Sequence, residues 1–143
     1  MRIEVKFSYY RGLEPDHNKE KVARGIIKIL RNHLFLPDKV EVQFVSLGPA
    51  NHAETIVNVK RPNVVRLNAD LSVNDIVIPL VHEMIHVEQI YTGKLKNSRF
   101  GYLIWEDQKY KVDPDMAYNK YLELPWEQDV NYRLGKLLEI VLG

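Results

Sequence analysis

The chain has 143 residues, 45% apolar and 27% charged, with a formal net charge of +1. That length suits a single domain with its own core, and the balanced charge excludes a general polyanion binder. The absence of cysteine excludes disulfides, thiolate metal sites and cysteine nucleophiles, and fits a cytoplasmic protein.

The opening "RIEVKFSYY" alternates, with Ile3, Val5 and Phe7 on one face, which predicts a strand rather than a secretory signal. Residues 15–34 carry Val22, Ile26, Ile27, Leu30 and Leu34 at helical spacing, and Pro37 stops the helix. "KVEVQFVSL" alternates Val40, Val42 and Phe44 as a second strand. "ETIVNVK" and "NVVRLNA" flank "RPN" and predict a hairpin. "NVVRLNA" is a candidate sheet edge on which an extended peptide could pair, or simply an edge strand protected by Arg66. Ser72 and Asp75 resemble a capping box, which puts the next helix start near Val73 or Asn74, with Pro79 inside and Gly93 at its end. "RFGYLIW" and "QKYKVD" around "EDQ" predict a second hairpin, and "DPDMAYNKYLELP" reads as irregular. Trp126, Val130, Leu134, Leu137, Leu138 and Val141 form the stripe of a closing helix. The order predicts one α+β domain over residues 1–143. Its small mixed sheet is packed on one side by an N-terminal, a central and a C-terminal helix. The most apolar stretch, residues 76–90, is interrupted by Pro79 and charged residues, so no membrane span is expected.

The central helix contains His82-Glu83-Met84-Ile85-His86, an HExxH pattern. Positions i and i+4 share a helix face, so His82 and His86 can address one ion from successive turns. Glu83 lies about 100° round from His82, placed to reach a metal-bound water without being a ligand. Zinc lowers the pKa of bound water to about 7, and a neighbouring carboxylate can take the proton as a carbonyl is attacked. The bland alternative is a histidine pair satisfied by hydrogen bonds. Context opposes it: Ile78, Leu80, Val81, Met84, Ile85, Val87 and Ile90 make this helix apolar nearly all round. Two imidazoles and a carboxylate there cost several kcal/mol unless something pairs them.

A third ligand is needed. The chain has five histidines, His17, His33, His52, His82 and His86, none downstream of the motif. Gln89 and Thr92 stand where HExxHxxGxxH would have glycine and histidine, so a later ligand must be a carboxylate. His52, in the turn-like "GPANHAE", reads as a solvated loop residue. Glu127 stands out in "LELPWEQDVNYRL", in the first turn of a helix whose apolar stripe must reach the core. Its ordinary explanation, shared with Asp129, is an acid favoured at a helix N-terminus. Glu106, Asp107, Asp113 and Asp115 lie in or near turns and read as solvated.

"HEMIHVEQ", "FGYLIWEDQKYKV" and "YLELPWEQDVNY" together resemble small zincin-like proteins of bacteriophages and bacteria, of the gluzincin type, in which HExxH is followed by a glutamate ligand on a later helix. The likeness spans residues 80–132. It implies a zincin-like fold and a Zn²⁺ site of His82, His86 and Glu127. It also implies Glu83 as general base and a metallopeptidase activity on peptide or protein substrates. One position departs from the pattern. An acid four residues after the glutamate ligand supports a zinc histidine in gluzincins, but here that position is Asn131, and Asp129 would point elsewhere on a regular helix.

An oxyanion donor opposite the base is expected from tyrosine, with Tyr118, Tyr121 and Tyr132 as candidates against a reading as core-edge packing. "KLKNSR" could touch an acidic partner but reads as a solvated loop, and no nucleic-acid site is expected. A chain this short has little material for a second cleft wall. Two rivals therefore stand beside the hydrolase, a metal-binding but inactive interaction module and a metal-free scaffold.

Overall fold

The computed structural model describes residues 3–48, 51–56, 63–98, 101–113 and 115–143. The described residues form a mixed α+β structure of four helices and two sheets. Strand β1 (Glu4–Tyr9) leads into helix α1 (His17–Leu30), followed by β2 (Lys39–Val45), β3 (Ala53–Thr55) and β4 (Val64–Asn68). Helix α2 (Val77–Tyr91) carries the HExxH residues. Then come β5 (Leu95–Asn97), β6 (Tyr102–Trp105), β7 (Gln108–Lys111), the short helix α3 (Tyr118–Leu122) and the closing helix α4 (Pro125–Leu142).

The first sheet has the order β1-β2-β4-β3, with β1, β2 and β4 parallel and β3 antiparallel on β4. Alternation in β2 buries Val40, Val42 and Phe44 toward the helices and leaves Glu41 and Gln43 on the other face. Those apolar residues join Ile26, Ile27 and Leu30 of α1, Leu80, Met84 and Ile85 of α2, and Val130 and Leu137 of α4 in one core. A smaller cluster of Ile90, Leu95, Leu124 and Trp126 lies under the second sheet, ordered β5-β6-β7. No helix among the described residues is long and apolar enough to cross a membrane.

Several sequence expectations need correction. "NVVRLNA" does pair antiparallel with the preceding strand, Ala53 opposite Leu67 and Thr55 opposite Val65, but residues 57–62 lie outside the described set. It is not the sheet edge. β4 sits between β2 and β3 and buries four of its five residues, as an interior strand must, and β3 takes the edge. Helix α2 begins at Val77, later than the Ser72/Asp75 pair suggested. The Asp75 amide donates to Ser72 Oγ at 3.3 Å, closing a turn before the helix. Pro79 thus falls in the first turn, where its missing N–H costs nothing and no kink is needed. Gly93, at φ +81°, ends the helix in a left-handed conformation that a side chain would strain. α1 starts at His17 with Asp16 accepting from the Lys19 amide, and residues 31–34 continue as a turn rather than as helix.

"KLKNSR" is not wholly a loop, since β5 pairs with β6 and buries Leu95. The segment read as irregular contains α3. The "EDQ" hairpin forms with a two-residue turn, Glu106 and Asp107, both at positive φ, between paired Trp105 and Gln108.

Candidate metal centre

α2 is wrapped by α1, α4, β3 and β4, and its residues from Glu83 to Ile90 are all buried. Within that apolar helix His82 and His86 lie one turn apart and meet edge to face, ring centroids 5.0 Å apart. Glu127 meets them from α4. Pro125 opens that helix at a position needing no N–H, and Trp126 and Val130 anchor its first turns in the two cores, leaving Glu127 only 3% exposed. Its carboxylate bridges both rings, Oε1 at 3.2 Å from His82 Nε2 and Oε2 at 3.0 Å from His86 Nε2. One donor atom from each of the three residues lies within 4.8 Å of the others, the only such group of three or more among the described residues.

The electrostatics follow from this packing. Burial pushes the Glu127 pKa up, but hydrogen bonds from both imidazoles outweigh it and hold the carboxylate at about 2. Burial opposes a charge on His86, yet the Glu127 hydrogen bond and the charges of Glu83 and Glu127 raise it to about 9. His86 and Glu127 therefore pair as a buried cation and anion, and the Glu127 carboxylate also meets His82. Two imidazole nitrogens and one carboxylate oxygen are a donor set that suits zinc and leaves a coordination position open.

The far side of His86 is held by Gln89, a residue that sequence reasoning placed only as a missing glycine. Gln89 is fully buried, and its Nε2 donates to the Trp126 carbonyl at 3.0 Å and to Asp129 Oδ2 at 2.9 Å. Its Oε1 must then accept from His86 Nδ1–H, at 2.7 Å, so the ring's Nε2 is the nitrogen turned to the cluster. Asp129 goes on to Arg133 NH2 at 2.8 Å, and Arg133 NH1 to Glu88 Oε1 at 2.5 Å. Asn131, at the position where gluzincins carry the supporting acid, is exposed on α4, and the relay to His86 runs through Gln89 instead. It also brings in Asp129, one residue removed from the ring, despite its unpromising helical angle. The signal available in the sequence was the His86/Gln89 spacing of three, which puts both on one helix face.

Glu83 is 7% exposed, and Thr55 of the edge strand donates to its Oε1 at 2.7 Å. Its Oε2 lies 3.8 Å from His82 Nε2. Tyr121 of α3 donates to Glu127 Oε2 at 2.9 Å, and burial together with the Glu127 charge pushes its phenol well above the ordinary range. The other two tyrosine candidates are elsewhere. Tyr118 is 75% exposed and stacks on the outer side of the Tyr121 ring, and Tyr132 is 89% exposed on α4. His52, Glu106, Asp107, Asp113 and Asp115 are exposed, as expected.

Glu83, His86, Tyr121 and Glu127 open onto a cleft of about 370 Å³. Ala53 and Thr55 line it from β3. Leu95, Leu103 and Val112 line it from the second sheet and its margin, supplying the second wall that the chain length argued against. A larger open groove of about 810 Å³ lies between the start of β1 and the end of α1, at the opposite edge of the first sheet. It contains Arg24, Lys28 and Lys39, whereas the cluster of possible metal-binding groups found among the described residues opens onto the smaller cleft.

No protein-family model, curated sequence or solved structure matches the chain. Its functional reading therefore rests on the side chains themselves.

Proposed function

We propose that the protein is a zincin-like, zinc-dependent hydrolase that cleaves peptide bonds, with His82, His86 and Glu127 as the metal ligands. The observation that carries this reading is the convergence of those three donors within 4.8 Å in a cleft that also holds an acid not used as a ligand, Glu83. A bound zinc supplies Lewis acidity, polarising a carbonyl and acidifying water. The chain's own residues supply the rest. Glu83 Oε2, on the His82 side of its carboxylate, takes a proton from the attacking water and returns it to the departing amine. Tyr121 OH, at the rim of the ligand cluster, donates its one proton to Glu127 Oε2 in this structure, and would turn it to the oxygen on which charge develops once Glu127 is committed to the metal. Among the described residues β3 pairs only with β4, and its residues Ala53 and Thr55 line the cleft, so the strand could offer an extended peptide a backbone ladder.

The experiment is metal analysis of purified protein followed by a peptide-library digest. The expected result is about one zinc per chain, lost in His86→Ala, and hydrolysis lost in Glu83→Gln while zinc is retained. Zinc bound by an inert wild type would favour a metal-binding interaction module instead. No zinc uptake, and no rise in melting temperature on adding Zn²⁺, would sink both readings.

A further inference from the structure

We infer that Thr55 is a positioning residue for Glu83, fixing which carboxylate oxygen works and tying the base to the strand beside the substrate; this rests on the hydrolase reading above. The Thr55 hydroxyl lies 2.7 Å from Glu83 Oε1 and 3.2 Å from the Glu83 main-chain oxygen. One short side chain therefore meets the glutamate at both its carboxylate and its backbone. Oε1 is occupied as an acceptor, and Oε2 is left on the side of His82, 3.8 Å from Nε2. A glutamate on a helix has three rotatable bonds, and without an anchor its carboxylate samples orientations that turn both oxygens from the ligand cluster.

Threonine is a good anchor for a physical reason. Its β-branch restricts χ1, and its backbone is clamped in the ladder with β4, Thr55 opposite Val65 and the Ile56 amide on the Val64 carbonyl at 3.3 Å. The same register sends Glu54 to the opposite face, where it pairs with Arg66 at 3.3 Å. Ala53 and Thr55 thus share the cleft side. The strand that would hold a peptide and the group that would move its proton are fastened together at one residue. Movement of β3 would therefore carry Glu83 with it.

The test compares Thr55→Val, which keeps shape and loses the hydroxyl, with Thr55→Ser, which restores a hydroxyl, and with Glu83→Gln as the floor. The first readout is not activity. Cobalt-loaded protein is titrated with acetohydroxamic acid, whose proton a neighbouring carboxylate must accept, and the visible spectrum reports binding. Thr55→Val should bind about tenfold more weakly, the size of one hydrogen bond to a charged group, with metal affinity unchanged and the melting temperature lowered by only a few degrees. Thr55→Ser should bind within about twofold of wild type. The second readout, on a cleaved peptide, should show kcat lowered about tenfold in Thr55→Val with KM unchanged. Wild-type hydroxamate affinity in Thr55→Val overturns the inference while leaving the metal site intact, and so does equal impairment of the Val and Ser variants. Failure of the wild type to take up cobalt overturns the hydrolase reading, and the inference with it, before any variant is made.

Discussion

Replacing Gln89 with leucine strikes the support of the proposed metal site without touching a proposed ligand. Gln89 is fully buried and makes three hydrogen bonds, to His86 Nδ1 at 2.7 Å, the Trp126 carbonyl at 3.0 Å and Asp129 Oδ2 at 2.9 Å. Asp129 keeps Arg133 and some solvent, so its loss is small. The ring N–H of His86 is left buried without a partner, at about 1–3 kcal/mol, while the Trp126 carbonyl, in the first turn of α4, keeps its bond within the helix. Gln89→Leu should therefore destabilise the metal-free protein by about 1–3 kcal/mol. For 143 residues that is a fall in melting temperature of roughly 3–10 °C. Zinc affinity, measured by chelator competition, should drop about 10- to 100-fold because the ring loses its orientation. Gln89→Glu separates the two effects. It keeps an acceptor for Nδ1–H but turns an acceptor toward Asp129 and Trp126, so stability should fall while zinc affinity is largely retained. A Gln89→Leu protein with wild-type zinc affinity would refute the assignment of Gln89 as the support of His86.

Tyr121→Phe should leave zinc bound and lower the stability of the metal-free protein by about 1–3 kcal/mol, while peptide hydrolysis falls about 10²- to 10³-fold if the phenol stabilises the oxyanion. The metal-free protein should show a bell-shaped stability against pH. His86 is raised from 6.5 to about 9, so its contribution is complete below 6.5 and is lost as pH rises to about 9. Glu127 is lowered from 4.5 to about 2, so its contribution is complete above 4.5 and is lost as pH falls to about 2. Thermal melts in chelator should therefore peak between pH 4.5 and 6.5 from these two groups, and saturating zinc should extend the alkaline side. Arg133→Ala removes the cation between Glu88 and Asp129 and leaves Glu88 with only the Phe35 amide at 2.8 Å. Urea unfolding should show a loss of about 2–4 kcal/mol, and a loss below about 1 kcal/mol would mean that solvent screens the pair.

The sequence made legible whatever depends on local pattern. The stripe of α1, the alternation of β2 and the two turns of His82 and His86 each follow from a period that the residues carry themselves. Glu127 was legible through an indirect argument, since a helix with Trp126 and Val130 on its buried face has to bring its first turn inward. The order β1-β2-β4-β3 was not legible, because nothing in "NVVRLNA" distinguishes pairing on one side from pairing on two. Gln89 and Thr55 were hidden for a related reason. A buried amide and an edge-strand hydroxyl acquire roles only from partners on other elements, Trp126 and Asp129 on α4 in one case and Glu83 on α2 in the other. The Ser72/Asp75 pair misled in the opposite sense, being a real local hydrogen bond that closes a turn ending two residues before the helix it appeared to start.

Helix α4 belongs to two cores at once. Leu124 and Trp126 pack in the cluster under the second sheet, whereas Val130 and Leu137 pack in the main one, and Glu127 stands where the two meet. If the smaller cluster opens as its own cooperative unit, the segment N-terminal to Glu127 loosens while His82 and His86 stay fixed in the larger unit. The third ligand would then come and go on the timescale of that opening. Amide exchange in β5–β7 and at the start of α4 should accordingly slow together when the ion binds, and the rest of the sheet should scarcely notice.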